Sequence, residues 1–278
     1  MLPRCDSCAV EMLTSVANLV RDQGLEVGVP VTLRSTNNVI AWMRPSPVVA
    51  KMAWDAAASA RELQLATSLA AVGAPVVPPI DIGIAQPVNV EGHWVTFWQY
   101  VADERSATAL QVAVSLFALH AGLAKIPGRS TLRTCDGRLE SAVGLLDGPE
   151  LARGLAKKDC ALLRRALLDG IAPLNSQTGP LRALHGSPHR FNILTTGGTT
   201  LFIDFETVEL GPVEWDVAHL EEEVAVHYPA DLDQNLLRTC RIAISAATST
   251  WCWEGIDRGA DMQSHAEHHL ESVRRWIT

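Results

Sequence analysis

The segment that decides the fold lies between residues 185 and 218 and contains three short motifs. They are HGSPHRFN at 185–192, IDFE at 203–206 and GPVEWDVA at 211–218. Two glycines, Gly197 and Gly198, stand between the first motif and the second and are typical of a tight hairpin turn. The pattern predicts a strand hairpin that brings Asn192 and Asp204 side by side.

The residue types at the two ends of this hairpin indicate a metal site. An Asn amide on a loop and an Asp at the end of a strand offer oxygen atoms, which magnesium prefers as ligands. Protein kinases place four residues between their catalytic Asp and their metal-binding Asn. Ser187 and Asn192 have the same separation. The stretch thus resembles the kinase pattern, and this resemblance implies phosphoryl transfer from a metal-bound nucleotide.

The ordered set resembles the catalytic region of the aminoglycoside phosphotransferase and choline kinase family. That family's pattern is H-G-D-x-x-x-x-N, then a strand ending in Asp, then a helix that starts with a sequence like W-D-x-A. The chain matches it at His185, Gly186, Asn192, Asp204 and Asp216. It departs from the pattern at one chemically important position, where Ser187 replaces the Asp that serves as catalytic base.

The resemblance implies an α+β, protein-kinase-like fold of two lobes. A small β-rich N-terminal lobe over 1–101 would bind nucleotide, and a larger, mainly helical lobe over 102–278 would carry catalysis and bind the acceptor. The residue patterns favour the same fold class, because strand-like runs come first and helical spacing dominates afterwards. Strand-like runs occupy 31–33, 39–42, 48–52, 94–100, 193–194 and 200–203; helical patterns occupy 11–24, 57–72, 107–124, 138–145, 149–169, 213–226, 231–252 and 260–276.

The resemblance also assigns roles in the N-terminal lobe. Lys51 resembles the strand lysine that pairs with nucleotide phosphates, and Glu62 resembles its ion-pair partner on the next helix. Gln99, Tyr100 and Val101 would form the hinge, where backbone groups read the adenine edge. The turn at 35–38 lies where a nucleotide-covering loop is expected, but it lacks glycine, so its N–H groups or its hydroxyls would have to bind phosphate.

In the catalytic region, Asn192 and Asp204 are the implied magnesium ligands, and ATP, with GTP as an alternative, is the implied phosphate donor. His185 and Asp216 resemble residues that brace the catalytic loop. His189 belongs to the motif as well, and we interpret it as a structural hydrogen-bonding residue more than as a base.

Serine at position 187 leaves three interpretations of the mechanism open. A serine hydroxyl has no proton-accepting capacity near neutral pH comparable to that of a carboxylate. The protein is then a slow kinase, a kinase whose base is elsewhere, at Glu206 or His189, or a catalytically impaired pseudokinase that binds a nucleotide or a small metabolite.

Composition limits the partners. The net charge is −8 and no Lys/Arg-rich run is present, which argues against nucleic acid and anionic membrane as partners. A small molecule is the expected partner, and the acidic balance is compatible with a cationic one; the oligomeric state is left open. Because Asp6, Glu11 and Arg21 interrupt any signal-peptide pattern, we expect a cytoplasmic protein.

The acceptor is expected among C-terminal helices at about 210–278, as the resemblance implies. That region contains Trp251, Trp253, Glu254, Asp257 and Asp261, which are suited to holding a cation by aromatic faces and carboxylates. The alternative is that the tryptophans belong to the core.

Overall fold

A computed structural model of the chain describes residues 6–35, 38–127, 132–148, 155–176, 181–255 and 260–277, with the backbone alone at 6–9, 260 and 261. The predicted α+β class is confirmed. Contacts divide the chain into two compact units, Met1–Ile126 with Phe191–Glu206, and Pro127–Arg190 with Thr207–Thr278. These units cut the chain elsewhere than residue 102, and the boundary between a nucleotide-binding and a catalytic lobe stays a prediction.

The first unit contains a five-stranded antiparallel sheet with the strand order β1-β2-β3-β5-β4. Its elements are helix α1 (Asp6–Asp22), strands β1 (Val31–Ser35), β2 (Val39–Trp42) and β3 (Val48–Ala53), helix α2 (Ala56–Ala71), strands β4 (Val88–Val90) and β5 (His93–Gln99), and helix α3 (Ala109–Leu123). A hairpin of β7 (Ile193–Thr196) and β8 (Thr199–Phe202) completes the unit.

Strand β3 is the central strand, and all six of its residues are buried. Side chains alternate between the two faces of a strand. Val48, Ala50 and Met52 join the apolar cluster that also contains the inner face of α1. Lys51 therefore projects from the opposite face of the sheet.

Local sequence explains where helix α2 begins and where the β7–β8 hairpin turns. The Asp55 carboxylate caps α2 by accepting hydrogen bonds from two backbone N–H groups of the first turn. Gly197 and Gly198 both have positive φ, 53° and 75°, as a two-residue turn between twisted strands requires. The predicted hairpin thus places residue 192 opposite residue 203, since Ile193 pairs with Phe202.

The second unit is mainly helical. It contains α4 (Asp136–Leu146), α5 (Lys157–Asn175), α6 (Val213–Val217), α7 (Glu222–His227), α8 (Gln234–Glu254) and α9 (Ala260–Ile277), with a two-stranded sheet of β6 (Arg182–Leu184) and β9 (Glu209–Gly211). Helix α8 is the central helix of this group and packs against α4, α5 and α9.

Several predicted boundaries were wrong. The predicted helix at 149–169 starts only at Lys157 in the described chain, and 149–154 lie outside the described residues. The predicted helix at 213–226 is two helices, because i→i−3 bonds at His219 and Leu220 tighten the end of the first one and Glu221 is extended. Strands β4, β6 and β9 were missed, since three residues carry too little periodicity. None of the helices in the described ranges is both long enough and apolar enough to span a bilayer.

The packing of α5 against α8 in the second unit leads to a prediction about Gly170 on α5. A Cβ there would lie 2.5 Å from the Ala243 Cβ of α8. Gly170→Ala should therefore lower the free energy of unfolding by about 1–3 kcal/mol, despite alanine's higher helix propensity. Gly144→Ala on α4 is the control: no atom lies within 4 Å of its Cβ, and it should be neutral or stabilising. Urea unfolding measures both variants, and equal effects would contradict this packing.

Candidate active site

Lys51 is the centre of a cluster of charged side chains in the first unit. Its Nζ lies 2.8 Å from Glu62 Oε2, 3.0 Å from Asp204 Oδ1 and 2.8 Å from Glu206 Oε1. Glu62 lies on the buried side of α2 and also accepts a hydrogen bond from the backbone N–H of Phe205 at 3.1 Å. The structure thus brings together the predicted residues Lys51, Glu62 and Asp204.

Burial and neighbouring charges oppose each other in this cluster. Burial lowers the pKa of Lys51, but the three carboxylates outweigh it, and the net shift is upward, so the ammonium stays protonated. Burial raises the pKa of Glu62 to about 7, against the opposing attraction of Lys51. Each buried charge of the cluster has an opposite charge within hydrogen-bond distance, which offsets part of the cost of burying it.

The same carboxylates form an oxygen-rich donor set. One oxygen each from Glu62, Asp204 and Glu206 lies within 4.8 Å of the others. Asp204 has a φ of 70°, which is uncommon for a residue other than glycine and is often found where side-chain placement serves function. Carboxylate oxygens, together with the nearby amide of Asn192, fit the preference of magnesium for hard ligands.

Both ends of the turn between β1 and β2 contact the segment that carries Asn192 and Asp204. Arg34 Nη1 donates to Asn192 Oδ1 at 3.2 Å, and Asn38 Nδ2 donates to Glu206 Oε1 at 2.8 Å. Thr36 and Asn37, in the middle of the predicted nucleotide-covering turn, lie outside the described residues. The turn is therefore fastened at both ends by polar side chains.

Part of the predicted hinge is already hydrogen-bonded. The N–H of Gln99 donates to Pro78 O at 3.1 Å, and the N–H of Tyr100 donates to Pro47 O at 2.8 Å. The Tyr100 ring stacks on Trp42 with centroids 4.0 Å apart. These two N–H groups are not available to an adenine, which leaves Val101 as the hinge residue whose N–H would have to serve.

In the second unit, Asp216 holds the first part of the motif loop. Its two carboxylate oxygens accept from the backbone N–H groups of His185 and Gly186, each at 2.8 Å. Gly186 has a φ of 83°, and a Cβ there would lie 2.0 Å from Thr207 O, so only glycine fits. The Ser187 N–H donates to His185 Nδ1 at 3.4 Å, and Ser187 itself is half-buried.

A second polar group, centred on Arg138, binds the backbone of the loop at Gly186. Arg138 Nη1 donates to Gly186 O at 2.5 Å and lies 3.3 Å from Glu209 Oε1, which also accepts from Trp215 Nε1 at 2.7 Å. Burial raises the pKa of Glu209 to about 7, although Arg138 opposes the shift. The Arg138 guanidinium also lies over the Trp251 ring, 5.2 Å from its centroid.

His189 is half-buried, and His219 is the histidine with the clearest electrostatic signature in this unit. Burial lowers the pKa of His219 to about 3, helped by the positive charge of Arg138, so the imidazole is neutral at physiological pH. Its ring meets Trp215 edge-on at 5.9 Å. His219 thus packs against Trp215 from the turn that follows helix α6.

Comparisons with known proteins bear on the family and the fold of the chain. The model of the phosphotransferase enzyme family, APH, matches residues 43–255. No curated protein sequence matches the chain. Solved structures resemble it closely: choline kinase LicA from Streptococcus pneumoniae has a TM-score of 0.72 at 14% identity, with 96% of this chain and 99% of that chain covered.

Two antibiotic kinases show the same likeness. Spectinomycin phosphotransferase APH(9)-Ia, in complex with ADP and spectinomycin, has a TM-score of 0.66 at 15% identity, covering 94% of this chain and 93% of that one. APH(2")-IIia, in a complex with GDP and kanamycin, has a TM-score of 0.70 at 13% identity, covering 96% and 98%. The chain belongs to the phosphotransferase enzyme family, and its fold is protein-kinase-like.

Sequence reasoning missed three charged residues of these clusters: Arg34, Arg138 and Glu209. Asn38 belongs to the predicted nucleotide-covering turn, although its side chain was given no role, and Arg34 directly precedes that turn, so its position in the chain was a usable signal. Arg138 and Glu209 carried no such signal. Arg138 lies on helix α4, which was predicted from apolar spacing, and Glu209 lies on strand β9, which was not predicted.

The residues expected to bind the acceptor are only partly described. Trp251 and Trp253 are half-buried on α8, and the Trp253 Nε1 is buried with no hydrogen-bond partner among the described residues. Asp257 and the side chain of Asp261 lie outside the described residues.

The pKa of Glu209 predicts a pH-dependent contribution to stability. A raised carboxyl pKa means that the folded protein holds this proton more tightly than the unfolded chain does. The contribution is therefore complete below about pH 4.5 and is lost as the pH rises through about 7. Glu209→Gln should remove it, so that the wild-type advantage is about 1–3 kcal/mol larger at pH 5 than at pH 8.

Urea unfolding at the two pH values measures this difference. The exposed Glu140→Gln on the neighbouring helix α4 is the control and should leave the slope of stability against pH unchanged. An unchanged slope in Glu209→Gln would show that Glu209 is ionised in the folded protein throughout this range.

Proposed function

We propose that the protein is an ATP-dependent phosphotransferase that transfers the γ-phosphate to a hydroxyl of a small molecule. The observation that carries the proposal is the ion-paired Lys51 on the central strand, surrounded by the carboxylates of Glu62, Asp204 and Glu206. A buried ammonium held in this way is pre-positioned for phosphate oxygens. Glu62 would orient it, and Asp204 with Asn192 would hold magnesium.

The nucleotide would bind against the hinge and the Lys51 face of the sheet. Because the N–H groups of Gln99 and Tyr100 are engaged, the base would be read by the Val101 N–H and by hinge carbonyls. The two antibiotic kinases above carry ADP in one case and GDP in the other, so both ATP and GTP are candidate donors. We propose ATP as the donor.

A bound magnesium ion would neutralise charge on the phosphates, which the loose transition state of phosphoryl transfer requires. The protein's own residues supply the rest: Lys51 binds phosphate, and the loop at 185–192 positions the acceptor hydroxyl. Asp216 keeps this loop in place through two backbone hydrogen bonds.

Ser187 decides how fast such an enzyme works. General base assistance is typically worth ~10²–10⁴-fold in rate, and a serine supplies little of it near neutral pH. Of the two alternative bases, Glu206 already accepts hydrogen bonds from Lys51 and Asn38, which suits holding a cation better than accepting a proton. His189, on the same loop as Ser187, is the alternative whose position favours it more.

The acceptor would be a polyol, an aminoglycoside-like molecule or an amino alcohol. Because the Arg138 guanidinium lies over Trp251, that ring face already has an internal cation, and Trp251 is a poor partner for a second one. A cationic acceptor would then depend on the carboxylates of this unit.

Cys135, Cys160, Cys240 and Cys252 are free thiols, which is consistent with the proposed cytoplasmic location.

A pseudokinase that binds nucleotide without transferring phosphate is the second candidate, and Ser187 is the observation that favours it. Mass spectrometry of reactions with ATP, Mg²⁺ and a panel of choline, spectinomycin and kanamycin separates the two. Phosphorylated acceptor supports the enzyme. ATP binding with no product from any variant below supports the pseudokinase.

Substitutions at position 187 test the role of the missing carboxylate. Ser187→Asp should raise kcat by up to ~10²-fold and leave the KM for ATP nearly unchanged, because a base acts mainly in the transition state. Ser187→Asn is the matched control: it has the size of aspartate without the base, and it should not raise kcat. If His189→Ala or Glu206→Gln abolishes turnover while Ser187→Asp adds nothing, that residue is the base.

A further inference from the structure

Arg34 lies on the same face of the sheet as Lys51. In the antiparallel register, Arg34 is opposite Ile40 on β2, and Ile40 is opposite Lys51 on β3. Residues directly opposite each other project from the same face. Two strand spacings separate the two cations at the backbone, or about 10 Å, a distance that long side chains span.

An irregularity in β1 creates this arrangement. Thr32 pairs with Ala41 and Arg34 pairs with Ile40, so Leu33 is an extra residue in the strand. Without the extra residue, Arg34 would be opposite Val39, whose side chain belongs to the apolar core. A β-bulge of this kind turns the side chains that follow it to the other face, and such bulges are often found next to functional sites.

The Arg34 guanidinium reaches the predicted metal ligands. Its Nη1 donates to Asn192 Oδ1 at 3.2 Å, and its Cζ lies 5.9 Å from the centroid of the Phe191 ring. The amide oxygen of Asn192 is the atom that would ligate magnesium. Arg34 and a divalent cation therefore compete for one oxygen.

Charge balance shows where Arg34 would go after losing this oxygen. Lys51 and Arg34 bring two positive charges to a site with three carboxylates, those of Glu62, Asp204 and Glu206. A metal-bound nucleotide brings further phosphate charge, and a guanidinium binds phosphate oxygens with strong, paired hydrogen bonds. The covering turn has no glycine, so its sequence offers no glycine-rich cradle for phosphate.

We propose that Arg34 is a phosphate-binding residue of the nucleotide site, which moves from Asn192 Oδ1 to the terminal phosphates when a divalent cation takes that oxygen. This inference rests on the proposed nucleotide site. One side chain, which the β-bulge orients, would then bind the phosphates that a glycine-rich loop binds in other kinases. It also makes Arg34 a barrier to the binding of metal without nucleotide.

The test measures two affinities that should move in opposite directions. In Arg34→Met, MgATP should bind about 10- to 100-fold more weakly by isothermal titration calorimetry, since charge-assisted hydrogen bonds are lost. AMP, which lacks the terminal phosphates, should bind as it does to the wild type. Mn²⁺ alone, followed by electron paramagnetic resonance, should bind more tightly, because Asn192 Oδ1 is released and a positive charge is gone.

Two further variants complete the design. Arg34→Lys keeps the charge and should recover part of the MgATP affinity, but not all of it, because lysine lacks the paired donors. Arg61→Met removes an exposed arginine of the same unit, on α2, and should change neither affinity. Unchanged AMP binding shows in each case that the nucleotide site is folded.

Each other result is decisive. If the wild type binds MgATP and Arg34→Met binds it equally well, the role of Arg34 falls and the proposed function stands. If Arg34→Met weakens AMP as much as MgATP, Arg34 supports the fold and not the phosphates. If the wild type binds no nucleotide, the proposed function falls first, and this inference falls with it.

Discussion

The ion-paired Lys51 is the interaction on which the rest of the site depends. A buried ammonium is costly unless opposite charges surround it. Here the central strand supplies the lysine, α2 supplies Glu62, and the segment after β8 supplies Asp204 and Glu206. Three separate stretches of the chain must therefore be in register before the charge is compensated. The first unit must therefore be correctly assembled before the group of charges that a nucleotide would contact can form.

The first part of the motif loop, which lies in the second unit, depends on a comparable arrangement. Asp216 accepts hydrogen bonds from the consecutive backbone N–H groups of His185 and Gly186. Arg138 donates to the carbonyl oxygen of Gly186, the residue directly before Ser187. The backbone of the loop is thus held by two polar groups, although Ser187 stands where the carboxylate of the base is expected. A loop that is so firmly held around a weak base is consistent with a slow enzyme as well as with a binding protein.

Sequence reasoning found the fold class and most of the motif, because the signals were local. Hairpin glycines, strand alternation around Lys51 and the spacing of the 185–218 segment each lie within a few residues. It missed Arg34, since its orientation depends on one extra residue in β1 that shows only in the pairing with β2. It also missed Arg138 and Glu209, whose partners lie 48 and 6 residues away and whose roles arise from packing.

The most direct test of the central claim is the magnesium dependence of ATP binding in Asp204→Ala, measured by isothermal titration calorimetry. The wild type should bind ATP more tightly with Mg²⁺ than without it, by about 10-fold or more. In the variant this gain should disappear, while metal-free ATP binds as well or better because a carboxylate beside Lys51 is gone. The exposed Asp169→Asn should behave like the wild type. A full magnesium gain retained in Asp204→Ala would contradict the account.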